Sequence, residues 1–262
     1  MDEKCALCQM ERPLQSSHLM PKALYRFVTR LETPKHSNPV IITGRSVWES
    51  SKQVEAHLLC CCCEQRFHKD GENWMLRHCY RGQRRFRLQE FLTTSTPIAE
   101  MGNAALFAVR LVPGIDVGKI AYFAASVVWR ASAHRWNLQD HRLCDIDLGR
   151  RYREGFRQYL LGEAAFPKDA AVLVDVFGFR SPLTLATMLF PYGGRRENLH
   201  HYRFTIPGVA FNLYLGQMMP SQLRDACILR PTGILFSSKR DDHIVRDFAT
   251  LMEKARVSLS LA

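Results

Sequence analysis

Apolar positions recur with a helical period in some stretches of this chain and with a strand period in others. In residues 21–31, Leu24, Phe27, Val28 and Leu31 fall at i, i+3, i+4 and i+7, and Pro21 occupies the first-turn position that proline tolerates. That pattern predicts a helix. Val40-Ile41-Ile42-Thr43, then Gly44-Arg45, then Ser46-Val47-Trp48 predicts a β-hairpin. A short helix is expected over 64–69, broken by Asp70-Gly71, with a second helical stretch over 73–80. Residues 93–103, rich in Thr, Ser and Pro, read as a linker. Beyond them the strongest helix spans 116–136 and is expected to be central and mostly buried. A second helix over 152–161 stops at Gly162. Strands are expected over 172–177, 183–190 and 202–215, the last interrupted by a bulge or turn at Pro207-Gly208. A C-terminal helix is expected over 241–256. The fold class is α+β: a module over 1–92, then a mixed helix and antiparallel-sheet domain over 104–262, with no internal repeat.

Size and composition are compatible with that division. The chain has 262 residues, 47% hydrophobic and 23% charged, which is globular and rules out a disordered chain or a disulfide-stapled miniprotein. The net charge of +11 suits a polyanionic partner, with a solvated basic surface as the plain alternative. The longest apolar run, Ile120 to Trp129, is bracketed by Lys119 and Arg130 and falls far short of the ~20 residues a membrane span needs. The charged start, Met1-Asp2-Glu3-Lys4-Cys5, lacks the apolar core of a signal peptide. The expectation is a cytoplasmic protein without a membrane partner.

The cysteines add a candidate chemistry. Seven of the nine precede residue 80: Cys5 and Cys8 form one CxxC, and Cys60 to Cys63 contain a second. Outside oxidising compartments such clustering points to a metal. Two CxxC knuckles supply the four thiolates of a tetrahedral structural Zn²⁺, from Cys5, Cys8, Cys60 and Cys63. Cys61 and Cys62 are then bystanders. The rival reading is a redox CxxC, which wants a thioredoxin-like βαβ pattern that the neighbouring sequence lacks. Cys79, Cys144 and Cys227 read as small buried hydrophobes.

Between the knuckles stands Ser17-His18-Leu19-Met20-Pro21, and the second knuckle reads Leu58-Leu59-Cys60 to Cys63-Glu64. In this order the chain resembles the HNH endonucleases, the zinc-stapled branch of the ββα-metal nucleases. It is similar in particular to uncharacterised bacterial HNH-like proteins with the same Ser-His-x-x-Pro and Leu-Leu-Cys-x-x-Cys-Glu elements. The resemblance covers residues 5–80. It implies a zinc-stapled ββα-metal module that hydrolyses nucleic-acid phosphodiester bonds, with His18 as general base, and a bacterial defence or toxin-type role. Phosphodiester hydrolysis needs a base near neutral pKa and a hard cation, Mg²⁺ or Mn²⁺, at the leaving oxygen. In the family the residue after the second knuckle binds that cation and is usually His; here it is Glu64, a sound ligand for a hard ion. His68, at i+4 from Glu64, would share it on one helical face. Ser17 stands where many members carry an acidic metal ligand.

Each assignment has a plainer counterpart. His18 would cap or pack, Glu64 would be a solvated helix charge, and His68 a surface residue. Arg77, Arg81, Arg84, Arg85 and Arg87 run without an acidic residue among them, with Tyr80 and Phe86 interleaved. They read as phosphate contacts with aromatics for base stacking, DNA before RNA, or as a solvated face. Pro191-Tyr192-Gly193-Gly194-Arg195-Arg196 reads as a Gly-rich loop lacking the P-loop's Gly-Lys-Ser/Thr. The class-level rival is a non-catalytic, zinc-stapled nucleic-acid-binding or scaffold protein.

Overall fold

The computed structural model describes residues 3–30, 40–42, 47–49, 52–82, 85–138, 141–178, 188–196, 198–238 and 250. The chain opens with a short antiparallel pair, β1 (Glu3–Lys4) and β2 (Glu11–Arg12). Then β3 (Leu14–His18) pairs antiparallel with β6 (Glu55–Cys60), Leu14 opposite Cys60 and His18 opposite Glu55. Between them lie α1 (Lys22–Arg30) and the hairpin of β4 (Val40–Ile42) and β5 (Val47–Glu49). Both were expected from periodicity. Leu24 and Tyr25 supply the buried face of α1.

Strand β6 runs directly into α2 (Cys61–Phe67), which continues through a π-helical turn (His68–Glu72) into α3 (Asn73–His78). The helix break expected at Asp70-Gly71 therefore does not occur. The reason is packing rather than propensity. A Cβ on Gly71 would lie 2.8 Å from the backbone nitrogen of Phe123, so glycine is what lets another helix approach there. A wider π turn absorbs the local mismatch.

That other helix is α5 (Val117–Ala133), preceded by α4 (Arg87–Thr93), β7 (Ala99–Met101) and β8 (Ala104–Ala108). Asp116 caps α5 by accepting the Lys119 N–H at 2.9 Å, one of the orphan donors of a helix start. Every residue from Ile120 to Ala131 is buried, as expected for a central helix. Phe123 meets the rings of Phe204 and Phe211 at centroid distances of 6.0 and 5.5 Å. Full burial of such a side chain contributes roughly 1.5–3 kcal/mol. After the β9 (Asn137–Leu138) and β10 (His141–Arg142) pair comes α6 (Gly149–Leu161), closed as expected by Gly162 at φ +76°.

The remaining strands are β11 (Ala170–Phe177), β12 (Leu189–Arg196), β13 (Leu199–Ile206), β14 (Val209–Leu215) and, after α7 (Ser221–Asp225), β15 (Ile234–Ser238). They form a seven-stranded sheet ordered β12-β13-β14-β11-β15-β8-β7. All pairs are antiparallel except β11 with β15, so the expected antiparallel sheet is in fact mixed. Pro207-Gly208 makes the two-residue turn between β13 and β14, with Ile206 opposite Val209 and Gly208 at φ +80°.

Two further expectations change, and two fall wholly or partly outside the described residues. Residues 99–101, inside the stretch read as a linker, are the edge strand of this sheet. The Gly-rich loop expected at Pro191 to Arg196 is part of β12; Gly193 there has φ +130° with the His201 carbonyl against it. Of the strand expected over 183–190, residues 189–190 belong to β12, and 183–187 lie outside the described residues, as does the helix expected over 241–256 apart from residue 250. One buried apolar cluster runs from Cys5 to Leu235 and takes in residues of both parts of the chain. Among the described residues no helix is long and apolar enough to cross a membrane.

Candidate metal centre and the adjoining polar cluster

Cys5, Cys8, Cys60 and Cys63 converge. Their sulfur atoms all lie within 4.8 Å of one another, and Cys8 Sγ is 3.8 Å from Cys60 Sγ. A tetrahedral zinc with Zn–S bonds of about 2.3 Å has sulfur–sulfur edges of about 3.8 Å, so the four residues fit that ion. A lone redox CxxC does not require the other pair to converge on it. Among the described residues this is the one group of three or more His, Cys, Asp or Glu side chains with metal-holding geometry.

The two knuckles are built differently. The first is the turn closing β1 and β2: Cys5 N–H donates to Met10 O and Gln9 N–H to Cys5 O, both at 2.9 Å. Gln9 takes the left-handed conformation, φ +62°, needed to turn the chain back within so few residues. The second knuckle is a strand-to-helix junction with Cys60 as the N-cap of α2 and Cys63 in its first turn. A helix start carries partial positive charge and favours thiolates. Cys60 N–H donates to Cys5 Sγ at 3.3 Å, which ties the two knuckles together.

Four acids this close cannot all ionise without a cation. Hydrogen bonding from Cys63, and from the backbone at Cys60 and Cys8, draws the Cys5 thiol down to about 4. The same pairing with Cys5, then burial, pushes the Cys63 thiol up. One thiolate is stabilised at its neighbour's expense, and a bound Zn²⁺ would remove the conflict. Arg12, at 3.5 Å from Cys62 Sγ, adds positive charge outside the cluster. Cys61 and Cys62 are exposed, while Cys79, Cys144 and Cys227 are buried and apart from it.

Glu64, next to Cys63 in α2, belongs to a second polar cluster. His18, at the end of β3, has a side chain only 11% exposed. Its Nε2 lies 2.7 Å from Gln53 Oε1 and 3.4 Å from Glu55 Oε2. Both partners are acceptors, which assigns the ring hydrogen to Nε2 and leaves the Nδ1 lone pair as the basic site. Ser17 is fully buried and its Oγ accepts the Leu59 N–H at 3.1 Å. Glu64 points inward, and its buried Oε1 has no hydrogen-bond partner. Burial pushes the Glu64 carboxyl up, against the opposing pull of Arg130, a Ser17 hydrogen bond and the charge of His18.

The structure therefore brings His18 and Glu64 into one electrostatic neighbourhood and leaves His68 out of it. His68 is exposed in the π turn. One member of this cluster, Arg130, escaped the sequence reading as a site residue. Arg130 is 1% exposed; it donates from Nη2 to Glu72 Oε1 at 2.5 Å and from Nη1 to the His18 carbonyl at 2.9 Å. Glu72 is buried with it. The available signal was a charge at Arg130 in the buried stretch of α5.

Arg77, Arg81, Arg85 and Arg87 are exposed, and Arg84 lies outside the described residues. The stacking platform expected from their aromatic neighbours is absent at Phe86, which is buried, with its ring edge-on to half-buried Tyr80 at 6.2 Å. Its place under Gly208 makes it a core residue. Compared with protein-family models, curated proteins and solved structures, the chain matches none of them.

Proposed function

We propose that the chain is a metal-dependent HNH-like endonuclease acting on nucleic-acid phosphodiester bonds, its N-terminal part stapled by Zn²⁺ on Cys5, Cys8, Cys60 and Cys63. The observation that carries the reading is the partnerless, buried Glu64 Oε1 in the same cluster as His18. The support is an antiparallel pair, β3 and β6, followed at once by α2: His18 ends the first strand, Glu64 lies in the helix, and the charge of His18 acts on the Glu64 carboxyl. His18 takes a proton from water on Nδ1, while Gln53 and Glu55 hold its Nε2–H and fix the ring. Glu64 would hold Mg²⁺ or Mn²⁺, which when bound neutralises charge developing on the leaving oxygen. The exposed arginines of 77–87 would contact backbone phosphates, positioning DNA without reading its bases.

A second reading is a zinc-stapled nucleic-acid binder without catalysis. The slight exposure of His18 and the burial of Ser17, where an acidic metal ligand is usual in the family, favour it. Supercoiled plasmid incubated with wild type and with His18→Ala, in EDTA, Mg²⁺ or Mn²⁺, separates the two. The nuclease reading expects metal-dependent nicking that falls about 10²–10⁴-fold in the variant, with zinc content unchanged. A gel shift without cutting by either protein supports the binder instead.

A further inference from the structure

Helix α5 is buried over its whole middle, from Ile120 to Ala131, and Arg130 is the one charged residue in that stretch. Arg130 is fully buried, over 100 positions from the strand whose end it grips, and two hydrogen bonds from its guanidinium reach into the N-terminal part. One holds the carbonyl of His18 and the other the carboxylate of Glu72. Its guanidinium lies 5.2 Å over the ring of Phe67, in α2. The same side chain therefore touches the end of β3, α2 and the π turn. A buried arginine is expensive to desolvate and is retained where its fork geometry fixes parts in relation to one another. Gly71, next to Glu72, is what brings α5 close enough for the contact.

We infer that Arg130 is a positioning residue. It locks the His18 backbone to the helix bearing Glu64 and Glu72, so the C-terminal part of the chain completes the site of the N-terminal part. It does not touch substrate, because its side chain is 1% exposed. The locking stands on the contacts alone, and its catalytic consequence rests on the nuclease reading above. A loosened base and ligand helix lower turnover more than binding.

The test compares full-length wild type with Arg130→Lys and with the double variant Arg130→Met plus Glu72→Met. The double variant removes the tether and both charges of the Arg130–Glu72 pair together, so neither is stranded in the core. Hydrogen–deuterium exchange is followed over residues 14–20 and 68–78, with zinc content and plasmid cleavage alongside. In the double variant we expect faster exchange in both segments, retained zinc, and turnover reduced about 100-fold at a nearly constant KM. Arg130→Lys recovers part of that turnover. Exchange unchanged in both segments overturns the inference, whether or not the protein cleaves. Faster exchange with cleavage at the wild-type rate overturns the positioning role and leaves the nuclease reading intact. If wild type does not cleave, the nuclease reading falls and exchange alone decides whether Arg130 is the lock.

Discussion

The two polar clusters that share α2 solve the same electrostatic problem in opposite ways. Cys63 and Glu64 are adjacent, yet one belongs to the thiol group and the other to the carboxylate group. Among the four thiols no cationic side chain is buried: Arg12 stands at the exposed edge, near Cys62, and acts on Cys60 and Cys8 from there. The carboxylate cluster carries its cation with it, because Arg130 is driven into the core beside Glu72. Thiols crowded without a cation require a metal to ionise together, whereas the Glu72–Arg130 pair is complete without one. What the carboxylate cluster leaves open is one buried oxygen of Glu64 and the buried Nε of Arg130, neither with a hydrogen-bond partner. The comparison teaches that burial of acids alone does not identify a metal site; the presence or absence of an internal cation does.

The comparison can be broken most severely at the thiols. Cys60→Ser should lose stoichiometric zinc by elemental analysis and, with it, the cooperative melt of the N-terminal part. Structural zinc contributes on the order of 10 kcal/mol to folding. A zinc-free variant that melts like wild type would sink the metal half of the comparison. Next in size, Glu72→Ala strands the Arg130 charge and should cost about 3–5 kcal/mol in denaturant unfolding. The Arg130→Met plus Glu72→Met pair recovers most of it. Equal losses in both would mean that packing, not charge, sets the value of the pair.

Gly71→Ala sharpens the point geometrically. Its methyl would press on the backbone of Phe123, and overpacking of this kind costs about 1–3 kcal/mol. Thermal unfolding reads it, and a change near zero would show that α5 shifts freely. The smallest effect is the pH dependence of Glu64. Its folded carboxyl titrates above the ordinary value because burial disfavours the charged form. The stability tied to it is therefore full below the unfolded pKa and lost as pH rises through the folded one. Glu64→Gln, without added divalent metal, should gain more over wild type at pH 7 than at pH 4.5. A gain that grows toward acid would reverse the sign and exclude burial as the cause.

What could be read from residues alone follows from how local each feature is. The cysteine pairs were legible because metal-ligand spacing is a property of four consecutive residues. Helix α6 and its Gly162 stop, and the Pro207-Gly208 turn, were legible for the same reason. Glu72 and Arg130 pair across 58 residues, and no period or spacing encodes that. Asp70-Gly71 was misread because glycine weakens an isolated helix, while here its missing side chain is what packing demands. Strand β7 resisted reading because all three of its residues are exposed, so it shows no alternation. Glu64 and His68 share a helical spacing, but the π turn begins at His68 and only Glu64 turns inward.

The 3.8 Å contact between Cys8 and Cys60 spans a separation of 52 residues. With zinc in place that contact acts as a cross-link, and a closed loop of this size removes about 4 kcal/mol of conformational freedom from the unfolded chain by the relation used for disulfides. The same relation is nearly flat in loop size: doubling the number of residues between the knuckles would add only about 0.6 kcal/mol of closure cost. The insertion that carries α1 and the hairpin is thus close to thermodynamically free, and chain can be added or removed between the knuckles with little penalty so long as β3 and β6 still pair.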